Sequence, residues 1–154
     1  MIYRIVTALT FLTAAPAFAQ GAWDHAYTPG FGGQWEGRFE APDGSYSAQY
    51  GCVIGGNSVS FFATGPHVGP GKSSLSVDGK VVFEGNTGYS SESNSTYMEI
   101  SADASMGAET KQAFNAVVMA LAGGSQAVWT TPDETAFSIS LANSKDIVDG
   151  CILS

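Results

Sequence analysis

SYSAQYGCVIGGNSVSFFAT, residues 45–64, is the stretch of this sequence that decides the fold. Each half alternates between apolar and small polar residues, which is the period-2 pattern of a half-buried strand. The glycine pair at 55–56 and Asn57 supply the positive-φ positions of a tight turn, so the stretch predicts a β-hairpin. The inward parity holds Tyr46, Ala48, Tyr50, Cys52 and Ile54 before the turn, and Val59, Phe61 and Ala63 after it.

The first nineteen residues have the pattern of a secretory signal. Arg4 gives a positive start, residues 5–13 are apolar, and Ala17-Phe18-Ala19 fits a cleavage site. A membrane anchor is the alternative, but a spanning helix needs about 20 apolar residues. The sequence therefore predicts a signal peptide over residues 1–19 and a periplasmic or secreted domain over residues 20–154. No later segment is apolar enough to predict membrane insertion.

Charge and length narrow the classes of function. Residues 1–19 hold one of the 6 Lys+Arg and none of the 14 Asp+Glu, so residues 20–154 carry 5 − 14 = −9. A chain of this charge repels a phosphate backbone, which argues against nucleic acid as a partner. The 154 − 19 = 135 residues fit one domain with one core.

The two cysteines, Cys52 and Cys151, are an even pair in a chain predicted to be exported. An oxidising compartment favours a disulfide between them over two buried thiols. The closed loop would span 151 − 52 = 99 residues, for which chain entropy gives about 4.7 kcal/mol as an upper figure. The bond would tie the end of the chain to the central strand.

The remaining periodicities predict a mainly β, α+β domain: an antiparallel β-sandwich or curled sheet with two helices. Residues 105–122 carry an apolar stripe at helical spacing, with Ser105 or Asp103 as cap, and residues 143–151 form a short terminal helix. Asp78-Gly79 is a strong hairpin turn. Further strands are predicted at 34–40, 73–77, 80–84, 96–101, 127–130 and 135–141, with surface loops at 65–72 and 85–95.

Six residues with aromatic rings form a predicted contact surface, because aromatic side chains are favoured at contact sites. The segment before residue 34 has no clear periodicity. We interpret it as a flexible leader, with an aromatic lip that meets a ligand as the alternative. The predicted contact residues are Trp23, Tyr27, Phe31, His67, Tyr89 and Tyr97.

The residues that carry chemistry are few, and the sequence predicts no catalytic residue, cofactor or metal site. His25 and His67 lack the spacing of a metal pair. Glu36 and Glu40 share a strand parity and could do acid–base work, but a solvated strand face explains them more simply. The GPHVGPGK loop fails the Walker A spacing, because Pro66 stands where a glycine is required.

The tail gives a resemblance. FSIS and Leu141, then Ala142-Asn143-Ser144 and a helix ending at Cys151, resemble the invasion-associated locus B family of small exported proteins of alphaproteobacteria, mainly over residues 110–151. That resemblance implies a β-sandwich-like domain of the cell envelope without catalytic residues to carry over. The chain departs from the family in the wide spacing of Trp35 and Cys52. A fainter likeness is to periplasmic lysozyme inhibitors, whose Ser/Lys contact loop this chain lacks.

Three hypotheses on function remain. The first is a non-enzymatic envelope protein that binds a protein or a small ligand. The second is an inhibitor of a hydrolase, such as a lysozyme or a protease, with a loop at 65–74 or 85–95 entering a cleft. The third is a small hydrolase using carboxylates such as Glu36 and Glu40.

Overall fold

The computed structural model describes residues 21–29 and 33–154, so the predicted signal peptide at 1–19 lies outside the described residues. The described chain forms two antiparallel sheets, one helix of sixteen residues and a short helical tail, which confirms the predicted mainly β fold. The six-stranded sheet has the order β1-β2-β3-β4-β8-β7 and the four-stranded sheet the order β10-β9-β5-β6. The strands are β1 (Asp24–Thr28), β2 (Gln34–Glu40), β3 (Tyr46–Val53), β4 (Gly56–Thr64), β5 (Ser73–Val77), β6 (Lys80–Gly85), β7 (Gly88–Ser90), β8 (Ser95–Ala102), β9 (Gln126–Thr130) and β10 (Ala136–Ser140).

The predicted central hairpin is β3 and β4, with Cys52 on the inward parity as expected. The turn is shifted by one residue from the prediction. Val53 pairs with Gly56, so Ile54 and Gly55 form the two-residue loop, and neither has a positive φ. The inward assignment of Ile54 is therefore wrong, since its side chain is 74% exposed at the tip. The Asp78-Gly79 turn is confirmed, with φ of 48° and 81° as a primed turn requires.

The core lies between the inward faces of the two sheets. Alternate residues of β3, β4 and β8 meet apolar residues of β5, β9 and β10, because every second side chain of a strand points to the same face. Phe61 on β4 and Trp129 on β9 mark the contact, with ring centroids 6.0 Å apart. Trp129, Phe61, Phe114, Leu75, Met98, Leu121, Ile139 and Ile147 are the largest fully buried apolar side chains.

The helices pack at one end of the sandwich. Helix α1 (Ala108–Gly123) contacts β8 and β6 and buries Phe114, Val117, Val118 and Leu121, the predicted stripe. The predicted cap at Ser105 or Asp103 is wrong, because Gly107 occupies the N-cap and Asp103 accepts hydrogen bonds from Ser105. A 3₁₀ turn (Ser144–Asp146) and helix α2 (Ile147–Cys151) follow β10 and contact β2, β3 and α1.

Two predicted irregular segments are strands. The chain start, interpreted as a flexible leader, contains β1, which pairs with β2 from Asp24↔Arg38 to Thr28↔Gln34. The predicted loop at 85–95 contains β7, which pairs with β8. Both strands lie at the edges of the six-stranded sheet, where one neighbour is sufficient to fix a strand that has no apolar alternation of its own.

Candidate functional site

The predicted disulfide between Cys52 and Cys151 is present and buried, with the two Cα atoms 5.1 Å apart. Asn57 lies directly opposite Cys52 on the neighbouring strand. Its buried amide donates a hydrogen bond of 2.9 Å to the Cys151 carbonyl. The tail is therefore held to the sheet centre by a covalent bond and by a buried hydrogen bond at adjacent points.

A cleft of about 420 Å³ opens beside this disulfide, and we call it the end cleft. Tyr27 and Trp35 form one wall, with ring centroids 4.9 Å apart. Trp35 lies against the backbone of α2 so closely that a Cβ at Gly150 would be 2.2 Å from the indole Cδ1. The end cleft thus depends on the tail as much as on the sheet. Val53, Ile54, Ile152 and Leu153 supply its aliphatic lining.

The end cleft differs from the rest of the surface in charge. The described residues that line it include no Asp, Glu, Lys or Arg, in a chain with 14 Asp+Glu. Tyr27 is 52% exposed and Ile54 74%, and Val53 and Ile152 are also exposed. Depletion of charge together with exposed aromatic and aliphatic side chains is the composition of the centre of a protein contact.

The structure divides the predicted contact residues. The prediction that Trp23 belongs to a contact surface is wrong, because this residue is 4% exposed and donates its indole N–H to the Ser140 carbonyl at 3.1 Å. Tyr27 lies in the end cleft. Phe31 lies outside the described residues. Tyr89 and Tyr97 are exposed, but they belong to β7 and β8 at the opposite edge of the six-stranded sheet from Tyr27. The predicted residues therefore do not form one surface.

The two histidines serve as connections between segments. His25 Nδ1 lies 2.6 Å from the Tyr50 hydroxyl, and Nε2 bonds to the Asn143 carbonyl, so the ring links β1 to the tail. A neutral ring satisfies both contacts when Nε2 donates and Nδ1 accepts. His25 also borders a depression on the sheet, but both ring nitrogens are already engaged.

His67 is less exposed than its predicted place on a contact surface requires, with 22% of its side chain accessible. Its ring nitrogens lie 3.1 Å from Asp133 Oδ2 and 3.1 Å from the Thr64 carbonyl, and its backbone N–H bonds to the Thr96 hydroxyl. The loop at 65–72 is thereby fastened to the β9–β10 turn. The Thr131 hydroxyl, which donates to Asp133 at 2.6 Å, is the main cause that holds the pKa of this carboxyl well below its usual range.

The outward face of the six-stranded sheet bears a shallow depression of about 490 Å³, which we call the outer depression. It lies over Gly51, where the sheet has no side chain, and polar residues of β1 to β4 surround it. Glu36 accepts a hydrogen bond from Gln34, and Arg38 pairs with Glu40 at 3.3 Å with both side chains exposed. Glu36 and Glu40 thus belong to a solvated strand face.

In the part of the chain that the structure describes, no three His, Cys, Asp or Glu side chains are grouped to hold a metal ion. None of the described helices has the length and apolarity needed to cross a bilayer. Comparisons with protein-family models, with curated proteins and with solved structures each return no match to this chain. The likeness of the tail to the invasion-associated locus B family stays a prediction.

The end cleft was not predictable as a site, because its lining comes from separated parts of the chain: Tyr27 with Gly33 and Trp35, the β3–β4 turn at 52–57, Ala104, and residues 150–154. Two signals were available in the sequence: Tyr27, which was predicted as a contact residue, and the cysteine pair. The pair indicated that the tail lies against the central strand, and the cleft is beside that contact.

Proposed function

We propose that this protein is a non-enzymatic binding protein of the cell envelope, exported to the periplasm or secreted, which contacts a protein or a small ligand through the end cleft. The observation that carries the proposal is that the described residues lining that cleft include no charged side chain and several exposed aromatic and aliphatic ones, on a strongly acidic chain. When a partner covers the exposed apolar area of the cleft, the hydrophobic effect favours binding by about 25 cal/mol per Å² removed from water.

The buried disulfide supports the compartment, since such bonds persist in oxidising surroundings outside the cytoplasm. The signal-peptide pattern of residues 1–19 supports the same location outside the cytoplasm. The two histidines support a non-enzymatic role, because their ring nitrogens are engaged in hydrogen bonds that connect separate segments of the chain.

The test uses two exposed aliphatic residues as a matched pair. Ile54→Asp places a charge in the end cleft, and Val81→Asp places one on β6 of the other sheet, where the side chain is 55% exposed. We expect tagged wild type and Val81→Asp to capture the same partner from envelope extract, and Ile54→Asp to lose it. Equal capture by both variants would contradict the proposal.

A screen for hydrolysis of ester, glycoside and peptide substrates, and for inhibition of lysozymes and proteases, covers the other two hypotheses. We expect neither activity from the wild type. Turnover that disappears in Glu36→Gln or Glu40→Gln would establish the hydrolase hypothesis in place of the binding proposal. Inhibition that survives in Ile54→Asp would do the same for the inhibitor hypothesis.

A further inference from the structure

The free edge of β1 follows from the bonding of the strands next to it. Val53 and Gly56 close the β3–β4 turn, and the Ala41 N–H bonds to the Tyr46 carbonyl. In antiparallel pairing, alternate residues turn their backbone groups to alternate neighbours. The same alternation continues through β2. The hydrogen bonds between β1 and β2 are therefore made at the pairs Asp24↔Arg38, Ala26↔Glu36 and Thr28↔Gln34.

His25 and Tyr27 therefore direct their backbone N–H and C=O groups away from β2. Trp23 has the same parity, and its backbone N–H also points away from β2, where it bonds to the Ala142 carbonyl at 3.1 Å. Among the described residues, no backbone or side-chain group bonds to the backbone groups of His25 or Tyr27 on that side. Four backbone groups of β1 thus form an open ladder edge.

The other sheet edges are protected in ways that limit strand addition. Strand β6 begins at Lys80 and carries a bulge against β5, and β7 has three residues. Strand β10 has its Ser138 and Ser140 carbonyls occupied by the Tyr46 hydroxyl and the Trp23 indole. Strand β1 has none of these features: it contains no Lys, Pro or bulge, and four of its five residues are exposed.

The two sides of β1 differ in chemistry. On the outward face, Asp24 lies opposite Arg38 on β2, which is also paired with Glu40 at 3.3 Å, and Ala26 lies opposite Glu36. On the inward face, Tyr27 leads into the end cleft. A strand added to this edge would place alternate side chains next to carboxylates and next to aromatic rings.

Resting on the function proposed above, we infer that the edge of β1 binds an extended segment of another protein in antiparallel register, with basic and apolar side chains alternating along it. The apolar residues lie opposite His25 and Tyr27, exchange backbone hydrogen bonds with them, and enter the end cleft. The basic residues lie opposite Asp24, Ala26 and Thr28, beside Glu36. Charge complementarity selects this occupant over a second copy, because β1 brings Asp24 and no cation to such a contact.

The probe is a capped seven-residue peptide of alternating lysine and valine. We expect the peptide to bind, to slow amide exchange of His25 and Tyr27, and to bind more weakly when salt is added. A peptide with glutamate in place of lysine, and one with the lysines grouped together, should bind at least about tenfold more weakly.

Methylation of backbone nitrogens in the probe tests the register. In the antiparallel register, the valine N–H groups face β1 and the lysine N–H groups face solvent. Methylating the valine nitrogens should therefore abolish binding, and methylating the lysine nitrogens should leave the affinity within about threefold, since no hydrogen bond to β1 is lost. Equal effects of the two methylations, or the reverse order, would overturn the inference.

Tyr27→Pro tests the same contact from the protein. Proline removes the outward N–H of Tyr27 and leaves the β1–β2 bonds in place, and the control Tyr27→Val keeps that N–H. Both variants lose the ring that forms one wall of the end cleft, so we expect Tyr27→Val to bind the peptide more weakly than wild type does, and Tyr27→Pro to bind it at least about tenfold more weakly than Tyr27→Val. If Ile54→Asp loses the envelope partner while Tyr27→Pro keeps it, the binding function stands and strand addition fails. A peptide-independent dimer lost in Tyr27→Pro would show that a second copy is the occupant and would also overturn it.

Discussion

The two end segments of the described chain, strand β1 and the tail after β10, are attached to the same sheet by different means. The tail is fixed by a covalent bond at Cys151 and by the buried amide of Asn57. Strand β1 is fixed by one neighbouring strand and by two bonds to the tail, from the Trp23 backbone N–H to the Ala142 carbonyl and from the His25 ring to the Asn143 carbonyl. The difference shows that β1 depends on the tail, so loosening the tail should loosen both.

The largest effect is expected from Cys151→Ser. Loss of a native disulfide in a small secreted domain costs about 2 to 5 kcal/mol of unfolding free energy. Residues from Asn143 onward should be the first to exchange their amide protons, and β1 should follow, because His25 bonds to the Asn143 carbonyl. Urea unfolding and hydrogen exchange measure both, with reduced wild type as the control. Unchanged amide protection of β1 in Cys151→Ser would contradict the dependence of β1 on the tail.

Gly150→Ala should have the next largest effect. The added Cβ would lie 2.2 to 2.6 Å from the Cδ1, Cγ and Cβ atoms of Trp35, which cannot move without shifting β2. Overpacking of this kind costs about 1 to 3 kcal/mol. Gly55→Ala is the matched control, since a Cβ there meets nothing within 4 Å. Equal stability of the two variants would show that the tail and Trp35 adapt freely.

Trp23→Phe examines the attachment of β1 alone. The ring is replaced by a smaller one and the hydrogen bond to the Ser140 carbonyl is lost, so we expect a cost of about 1 kcal/mol. Tyr89→Phe, which removes the exposed bond to Asn94, is the control and should cost less than about 0.5 kcal/mol. If both variants are as stable as wild type, Trp23 does not fasten the chain start, and the flexible leader predicted from the sequence describes this segment better.

The smallest effect concerns the turn at the start of β10, away from both end segments. The bond from the Thr131 hydroxyl lowers the pKa of Asp133, so the ionised carboxylate stabilises the folded state. That contribution is present above about pH 4, the ordinary value, and is lost as the pH falls further. The stability difference between wild type and Asp133→Asn should therefore shrink between about pH 5 and pH 2. Thermal unfolding across this range measures it, and a difference that grows on acidification would contradict the assignment.

The sequence predicted the tail well and β1 poorly, for a physical reason. Residues 46–52 alternate in polarity, and Cys52 has one possible partner, so local pattern and cysteine count together place Cys151. In β1, the sequence DHAYT has polar residues on both parities, and the edge position that makes it a strand is set by β2 and by the tail. The same limit applies to the end cleft and to the free edge of β1, which exist only after distant segments have met.

The position of Cys151, after all ten strands of the described chain, has a consequence for biogenesis. In the export that we propose, the chain emerges from its amino end and presents Cys52 to the oxidising compartment before Cys151 follows. With two cysteines there is one possible intramolecular pairing, so maturation needs an oxidant but no isomerase to correct mispaired bonds. The vulnerable interval is the one in which the unpaired Cys52 thiol can couple to another molecule, and it ends when the last helix docks.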